Sequence, residues 1–216
     1  MSENRLLAAL SVSDYTRITA RMTSVTFGHK EVAYLPGGPI DFVYFPTSGV
    51  ISATIVMLDG QIAETAVVGR EGMLGLTTFL GASRSPEQVF CQIAPADCRK
   101  MPVADFTAEV AEGGRFTEVI HAYGCGVLHA SARCTACNAL HSIDERFARW
   151  LLMCHDRVGA DEFPLTHEFL AIMLGVRRAT VSVTAASLQS AGIIAYRHGK
   201  VTIRDRSALE EAACEC

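Results

Sequence analysis

The amino-acid sequence predicts an α+β protein built from three successive segments. Residues 1–114 carry short runs of β-branched and aromatic residues divided by turn residues, which is typical of an antiparallel β-sandwich or jelly roll. Residues 115–141 repeat apolar side chains at helical spacing. Residues 142–216 hold short helical patterns and a late hairpin pattern. We therefore expect a β-rich domain, one long helix and a helical C-terminal domain.

The β-rich segment begins with a helical stretch. Leu6, Leu7 and Leu10 form one apolar cluster, which predicts helical structure within residues 1–23. Further along, Asp59-Gly60 divides two β-branched runs and predicts a type I′ hairpin turn, in which both central residues have positive φ. The predicted strands are Phe42–Phe45, Val50–Leu58, Ile62–Val68, Gln88–Ile93 and Cys98–Met101.

The long helix carries an apolar seam. Its members are spaced alternately by four and three residues over more than three heptads, which favours close pairing of two subunits. The alternative is a helix that packs on its own sheet. The predicted dimer seam consists of Phe116, Ile120, Tyr123, Val127, Ala130, Cys134 and Cys137, and the pattern runs on to His141.

A new helix starts directly after this seam. Ser142 and Glu145 have the capping-box spacing, in which each side chain accepts a hydrogen bond from a free backbone amide at the helix start. The helix that follows is predicted to run to about Asp156. The joint at His141 therefore marks a boundary, and the predicted domains are residues 1–114, 115–141 and 142–216.

The C-terminal segment contains two further helices joined by a glycine turn. Thr166 is placed to cap a short helix that ends at Leu174, and Gly175 can adopt the left-handed conformation that turns the chain. A second helix is predicted over Arg177–Ser190. Two β-rich runs around Arg197-His198-Gly199-Lys200 then form a hairpin. Helix, turn, helix and hairpin together predict a winged helix-turn-helix.

This region is basic although the chain is acidic overall. The net charge is −4, yet residues 177–204 hold five Arg and Lys side chains and no Asp or Glu. A helix and a hairpin tip of this charge are suited to the major groove and the phosphates of duplex DNA. The alternative is a helical hairpin whose charged face is only solvated. The predicted DNA-contacting residues are Thr166, His167, Arg177, Arg178, Thr180, Ser182, Thr184, Arg197 and Lys200.

Composition excludes several classes of protein. With 216 residues, half of them hydrophobic, the chain is predicted to be globular and not disordered. It has neither an apolar run of membrane-spanning length nor a signal-peptide pattern, so we expect a cytoplasmic protein without a membrane partner. The eight cysteines are accordingly predicted to be reduced thiols.

One stretch has a specific pattern. Leu165–Val181 holds Thr166, then Gly175 nine residues later, and finally an arginine and a Thr-Val pair. This stretch, and the order of the segments, resembles the Crp/Fnr family of bacterial transcription regulators. Leu140–Arg146 and the terminal Cys-Glu-Cys are similar to one branch of that family. The resemblance implies a cyclic-nucleotide-binding-like N-terminal domain and a homodimer on a palindromic operator in double-stranded DNA, with RNA polymerase as a further partner.

The resemblance also implies which residues read the operator. Arg178 matches the arginine that contacts a base in the family, whereas Ala179 and Val183 stand where better-known members have a glutamate and a second arginine. A bidentate contact contributes about 1–3 kcal/mol of discrimination at its base. The operator is therefore expected to differ from the best-known consensus or to be read more loosely.

The N-terminal domain has a weak match to the residues that bind cyclic nucleotides in the family. Glu71, Arg84 and Ser85 are the candidate ligand-binding residues, but Pro86 follows directly and the spacing is too long, which favours an exposed loop. Iron–sulfur members gather cysteines near the N-terminus, whereas the first cysteine here is Cys91. We therefore expect no cofactor, neither a cyclic nucleotide nor an iron–sulfur cluster.

Two pairs of cysteines remain. Cys134 and Cys137 have the CxxC spacing of a metal or redox site, but both lie on the apolar seam, where packing is the preferred interpretation. No metal site is therefore expected, and a redox-sensitive pair across the dimer interface is an added hypothesis. Cys214 and Cys216 are predicted to be exposed thiols of the tail.

Other functional classes fit the sequence less well. A small β-barrel enzyme using His121, His129 or His141 lacks an HExxH, GxSxG or phosphate-binding loop. An RNA-binding or protein-interaction module lacks the aromatic platform of single-strand readers. A redox-responsive thiol sensor without DNA binding is the remaining alternative. The sequence thus predicts a DNA-binding regulator and not an enzyme.

Overall fold

The computed structural model describes residues 3–216, which form two compact units. One unit contains the chain up to Ile55 together with Ala66–Ala130, and the other contains Val56–Thr65 together with Ser131–Cys216. This division differs from the predicted segments. The long helix belongs partly to each unit, because its first half is buried in the core of the N-terminal unit.

The N-terminal unit is built around antiparallel strands. Their bounds are β1 (Thr23–Phe27), β2 (Val32–Tyr34), β3 (Phe42–Pro46), β4 (Val50–Val56), β5 (Ile62–Val68), β6 (Gln88–Ile93) and β7 (Ala96–Pro102). The hairpin end of β4 and β5, Val56–Thr65, is counted with the other unit. They form two sheets, with the orders β1-β7-β3 and β2-β6-β4-β5. Phe27 and Cys98 from the first sheet are buried in one apolar cluster with Ile51 and Cys91 from the second. The predicted β-sandwich is therefore confirmed.

The hairpin between β4 and β5 differs from the predicted type I′ turn. Gly60 has a φ of 82°, but Asp59 is not among the described residues with positive φ. Gly60 N–H donates a hydrogen bond to Met57 O at 3.0 Å, and Met57 N–H donates one to Gln61 O at 2.8 Å. These bonds enclose a three-residue loop with glycine in the left-handed position, which is a type I turn followed by a bulge. One residue with positive φ is enough for that loop.

The helices of this unit pack against the first sheet. Their bounds are α1 (Arg5–Ala8), α2 (Val12–Thr19), a 3₁₀ helix (Leu76–Leu80), α3 (Val103–Glu112) and α4 (Arg115–Leu140), the last of which continues into the second unit. The buried Asn4 caps α1, because its Oδ1 accepts hydrogen bonds from Leu6 N–H and Leu7 N–H. Its Nδ2 donates to Pro46 O at 2.9 Å and so ties α1 to β3.

The first half of α4 packs in its own unit and not against a partner. Phe116 and Ile120 are 2% and 0% exposed, in a cluster that also contains Phe106 from α3. Tyr123 packs on the same cluster. The predicted dimer seam is wrong at Phe116 and Ile120, whereas the half-buried Tyr123 stays a prediction. An apolar stripe at helical spacing is buried equally well by a helix's own sheet and by a second helix, so the pattern cannot distinguish the two.

The second half of the predicted seam does not form one surface either. Val127 and Cys134 are half-buried, Ala130 is exposed, and Cys137 is completely buried inside the C-terminal unit. Cys137 therefore cannot face a partner subunit. The exposed face of α4 is a different set of apolar or small residues at similar spacing, which we call the outer stripe: Cys125, Leu128, Ala132, Ala136 and Ala139.

The C-terminal unit combines helices with a small sheet of order β8-β10-β9. Its elements are α5 (Ile143–Val158), β8 (Glu162–Pro164), α6 (His167–Leu174), α7 (Arg178–Ser190), β9 (Ile194–Arg197), β10 (Lys200–Ile203) and α8 (Arg206–Glu211). The capping box at the start of α5 is confirmed, since Ser142 N–H donates to Glu145 Oε2 at 2.7 Å and Glu145 N–H donates to Ser142 Oγ at 3.4 Å. The predicted winged helix-turn-helix is also confirmed.

Within residues 3–216, no single helix has both the length and the apolar composition needed to cross a membrane. α6 and α7 together reach that composition, but their axes bend by 108° at the break between them.

Candidate nucleic-acid interface

α6 and α7 meet at a sharp turn whose residues account for its geometry. Thr166 Oγ1 accepts a hydrogen bond from Phe169 N–H at 3.2 Å and caps α6 as predicted. Gly175 ends α6 with a left-handed φ of 66°. The resulting angle of 108° is typical of a helix-turn-helix. Arg146 of α5 donates a hydrogen bond to Leu174 O at 2.8 Å, which holds the end of α6 against α5.

α7 buries one face and exposes the other. Val181, Ala185 and Leu188 are buried, as their spacing predicts. Arg178 is exposed in the first turn, and the Val183 side chain is 71% exposed although it is apolar. Ala186 is a residue of this face that was not predicted from the sequence, although Ala179, Val183 and Ala186 have the i, i+4, i+7 spacing of a single helix face. The exposed face of the first half of α7 and its centre includes Arg178, Ala179, Val183 and Ala186.

Thr184 is the clearest error among the predicted DNA contacts. Its side chain is 2% exposed, and its Oγ1 donates a hydrogen bond to Asp144 Oδ1 at 2.5 Å. It lies three residues after Val181 and therefore on the inner face of the helix. Thr184 thus joins α7 to the start of α5 and does not reach the exposed face. Two other residues of this segment were predicted to contact DNA. Thr180 is half-buried, and Arg177 is exposed at the N-cap of α7.

Arg178 is held in place by an acidic residue of α6. Its Nε lies 2.9 Å from Glu168 Oε1, and both side chains remain more than half exposed. A guanidinium has five N–H donors, so this contact uses the Nε–H and leaves the four donors on the terminal nitrogens. Those terminal donors are the ones that form a bidentate contact with the O6 and N7 atoms of guanine.

His167 and Ser182 link α6 and α7 to the hairpin. His167 Nδ1 lies 3.0 Å from Ser182 Oγ, and its ring centroid lies 4.5 Å from that of Tyr196 in β9. The Tyr196 hydroxyl in turn donates a hydrogen bond to the Leu165 carbonyl oxygen. Burial, and secondly the charge of Arg178, lower the pKa of the His167 imidazole. Both predicted DNA contacts are thus half-buried or paired residues that hold the interface together.

The hairpin of β9 and β10 turns as predicted. His198 and Gly199 have φ values of 50° and 73°, the type I′ pattern in which two central residues have positive φ. Arg197 and Lys200 flank this turn and are exposed. Lys200 Nζ lies 2.9 Å from Glu162 Oε1 in β8, and this contact lowers the pKa of the Glu162 carboxyl group. The hairpin therefore presents cationic groups at its tip.

The basic segment is less positive in three dimensions than its sequence indicates. Residues 177–204 contain no acid, but the structure brings Glu168 to Arg178 and Glu162 to Lys200 from the preceding residues. Arg177, Arg197 and Arg204 have no carboxylate partner within the described part of the chain. The net excess of positive charge is therefore smaller than five, although the interface remains cationic.

The residues predicted as weak nucleotide ligands contact the backbone of their own unit. Glu71 Oε1 accepts a hydrogen bond from Gly69 N–H at 3.1 Å, and Arg84 donates one to Gly37 O at 2.5 Å. Ser85 is buried, and its hydroxyl donates to Glu87 O at 2.8 Å. These contacts give each side chain a structural role, and the expectation that the unit takes no cyclic nucleotide stays a prediction.

The cysteines are free thiols in three different environments. Cys91 and Cys98 lie in the core of the β-sandwich, where burial raises the pKa of their thiols to about 11 and about 12, respectively. Cys125 is exposed on α4. The remaining cysteines belong to the C-terminal unit, and the two in the tail are half-buried, not exposed as predicted. These are Cys134, Cys137, Cys154, Cys214 and Cys216.

Comparison with known proteins agrees with this architecture. Residues 145–212 match the family model of the Crp-like helix-turn-helix domain. FixK2 from Bradyrhizobium japonicum has 18% sequence identity and a TM-score of 0.77, over 90% of this chain and 98% of that chain. A putative transcriptional regulator of the Crp/Fnr family from Eubacterium rectale has 18% identity and a TM-score of 0.72, over 96% of both chains. A comparison with curated protein sequences finds no match.

A further solved structure extends the same result. TTHB099, a CRP-family transcriptional regulator from Thermus thermophilus, has 20% identity and a TM-score of 0.74, over 88% of this chain and 96% of that chain. The matches cover nearly the full length of each neighbour, so the similarity includes the N-terminal unit as well as the helix-turn-helix. The resemblance to the Crp/Fnr family is therefore confirmed. Residues 145–212 are a Crp-like helix-turn-helix domain, and the chain as a whole has the fold of the Crp/Fnr transcription regulators.

Proposed function

We propose that this chain is a homodimeric transcription regulator that reads a palindromic operator by placing α7 in the major groove of DNA. The observation that carries the proposal is the exposed Arg178 in the first turn of α7, with its terminal guanidinium donors unpaired by Glu168. The small side chains of Ala179 and Ala186 on the same face allow the helix backbone to approach the bases closely. RNA polymerase is the further partner that we propose.

The exposed apolar positions of α4 support a dimer. The outer stripe repeats at spacings of three and four residues, and Leu128 within it is 68% exposed. Large apolar side chains with this exposure on a long helix favour pairing with the same helix of a second copy, and the alanines around it permit close approach. We therefore propose the outer stripe as the subunit contact, in place of the seam that the heptad pattern predicts.

Selection from random duplex DNA tests the proposal. The purified chain is mixed with a pool of random double-stranded sequences, and bound molecules are recovered through several rounds and sequenced. We expect enrichment of inverted repeats whose half-site centres are about 34 Å apart, one helical turn of DNA. Recovery of unrelated sequences with no shared motif, or of a single half-site without its inverted copy, would contradict the proposal.

The hairpin should contribute to affinity without contributing to sequence preference. Lys200→Ala is expected to weaken binding to all duplexes by a similar factor, and to reduce the slope of log K against log salt by about 1, because one phosphate contact is lost. Fluorescence anisotropy at several salt concentrations measures both quantities. Lys200→Arg, which keeps the charge, is the matched control and should retain the original slope. A change of sequence preference in Lys200→Ala would contradict the assignment to a phosphate.

A further inference from the structure

Four metal-binding side chains from distant parts of the sequence converge in the C-terminal unit. Cys137 lies in the last turns of α4, and His141 follows one turn later on the same side. Cys214 and Cys216 come from the tail after α8. One donor atom from each of the four lies within 4.8 Å of every other. The proposed DNA interface uses none of these residues, so the cluster needs an explanation of its own.

We propose that Cys137, His141, Cys214 and Cys216 bind one zinc ion as a closed structural site. Tetrahedral zinc with sulfur ligands at about 2.3 Å and a nitrogen ligand at about 2.0 Å separates neighbouring donor atoms by roughly 3.5–3.8 Å. Cys137 Sγ lies 3.5 Å from Cys214 Sγ, and Cys216 Sγ lies 3.6 Å from His141 Nδ1. These two distances match those of a tetrahedral zinc shell, and the other donor pairs, all within 4.8 Å, need to approach by at most about 1 Å for the four side chains to bind a single ion.

The surroundings of His141 are those of a zinc ligand. Its Nδ1 faces the cysteines, while its Nε2 lies 3.2 Å from the carboxylate oxygen Oε2 of Glu215. Histidines that bind metals almost always donate their other ring N–H to a carboxylate or a carbonyl, which fixes the tautomer that presents a lone pair to the metal. Glu215 stands between the two tail cysteines, so the segment that supplies two ligands also orients a third.

A positively charged side chain next to the cluster would offset the negative charge of the site with zinc bound. Three thiolates around Zn²⁺ carry a net charge of about −1, which is costly to leave unpaired in a half-buried place. The half-buried Arg149 of α5 interacts electrostatically with Cys137 and Cys214. Its Nη1 also lies 3.7 Å from Cys134 Sγ. Cys134 thus contacts Arg149 and does not belong to the cluster. The two cysteines of the CxxC motif therefore have different surroundings, and only Cys137 is a candidate ligand.

The donor set indicates zinc in a structural role. Four protein ligands fill a tetrahedral shell and leave no open position for water or substrate, as in structural zinc sites with three cysteines and one histidine. On binding, each thiol releases its proton to bulk water while its sulfur donates a lone pair to the ion, so no oxidant or reductant is needed. The ion would join the end of α4 to a tail 77 residues further along the chain. It would therefore stabilise the C-terminal unit.

The test uses the full chain, purified under reducing conditions, incubated with Zn²⁺ and freed of loose metal by gel filtration. Metal analysis is expected to find about one zinc per chain, and Co²⁺ in its place is expected to give the intense visible absorption of tetrahedral thiolate coordination. Removal of zinc with a chelator should lower the melting temperature. The double variant C214S/C216S should lose the zinc, and circular dichroism reports whether it is still folded.

Two controls keep the test decisive. Cys134→Ser and Cys125→Ser should keep the zinc, because neither side chain belongs to the cluster. Cys216→His, which retains a donor, should keep the metal but shift the cobalt spectrum, a result that does not depend on the stability of the double variant. The proposal would be overturned if the purified chain held no zinc or held iron instead. It would also be overturned if C214S/C216S bound as much zinc as the unsubstituted chain, or if Cys134→Ser lost the zinc. DNA binding is measured separately and its failure leaves this result unaffected.

Discussion

Replacement of Arg178 by alanine is expected to weaken binding to the selected operator by about 5- to 150-fold per half-site, which corresponds to about 1–3 kcal/mol. The affinity for unrelated duplex DNA should change far less. The reason is that a bidentate contact with guanine is made only at the matching base pair, whereas a lost phosphate contact weakens binding to every sequence. Competition anisotropy with operator and scrambled duplexes measures the ratio.

The control for this prediction separates charge from geometry. Arg178→Lys keeps the positive charge but replaces a planar fork of donors by a single ammonium group. It should bind scrambled DNA as strongly as the unsubstituted chain does, while most of the discrimination between operator and scrambled DNA is lost. Glu168→Gln removes the carboxylate that holds the arginine Nε at 2.9 Å and should reduce discrimination less than Arg178→Ala does. Equal losses on operator and scrambled DNA in Arg178→Ala would assign this arginine to a phosphate.

Replacement of Phe147 by alanine is expected to lower the free energy of unfolding of the C-terminal unit by about 3–5 kcal/mol. The Phe147 side chain is 0% exposed in α5, the helix on which α6, α7 and α8 pack. Truncation leaves a cavity that this packed core cannot close, and a domain is stable by only about 5–15 kcal/mol in total. The DNA-binding elements should therefore lose their support at moderate denaturant concentrations.

The sequence supplies a convenient probe for this measurement. Trp150 is the single tryptophan, it is 3% exposed in α5, and its Nε1–H donates to Glu64 Oε2 at 2.7 Å within the same unit. Its fluorescence during urea unfolding therefore reports the C-terminal unit. Val183→Ala is the matched control, because an exposed valine of the same unit should change stability by less than about 0.5 kcal/mol. A loss of under about 1 kcal/mol in Phe147→Ala would show that α5 does not form the core of the C-terminal unit.

Local signals account for how well the C-terminal unit is predicted. The caps at Ser142 and Thr166, the left-handed Gly175 and the turn at His198-Gly199 are each formed by residues close together in sequence. Their conformations depend on side-chain and backbone sterics over a few residues, which a sequence displays directly. The strand Gln88–Ile93 is predicted with its observed bounds for a similar reason, since turn residues delimit it on both sides.

The errors arise where one pattern fits two environments. The heptad seam of α4 is apolar whether it faces a sheet or a partner, and only the packed structure places Phe116 and Ile120 in the core of their own unit. Thr184 carries a hydroxyl that is equally suited to DNA or to Asp144, and its position opposite the exposed face decides between them. The seam could not be assigned from residue type or spacing, whereas the spacing of Thr184 from Val181 and Leu188 already places it on the inner face and could have excluded it as a DNA contact.

By itself, the sequence determined the order of the elements, the caps and turns that delimit them, and a basic helix-turn-helix with Arg178 at the start of its second helix. Only the tertiary structure decided which acids pair with the cations, which stripe of α4 is exposed, and that Cys137 and His141 meet Cys214 and Cys216. The physical reason is distance along the chain. Local conformations follow from neighbouring residues, whereas contacts between residues 75 or 77 positions apart exist only once the intervening helices and sheet have packed.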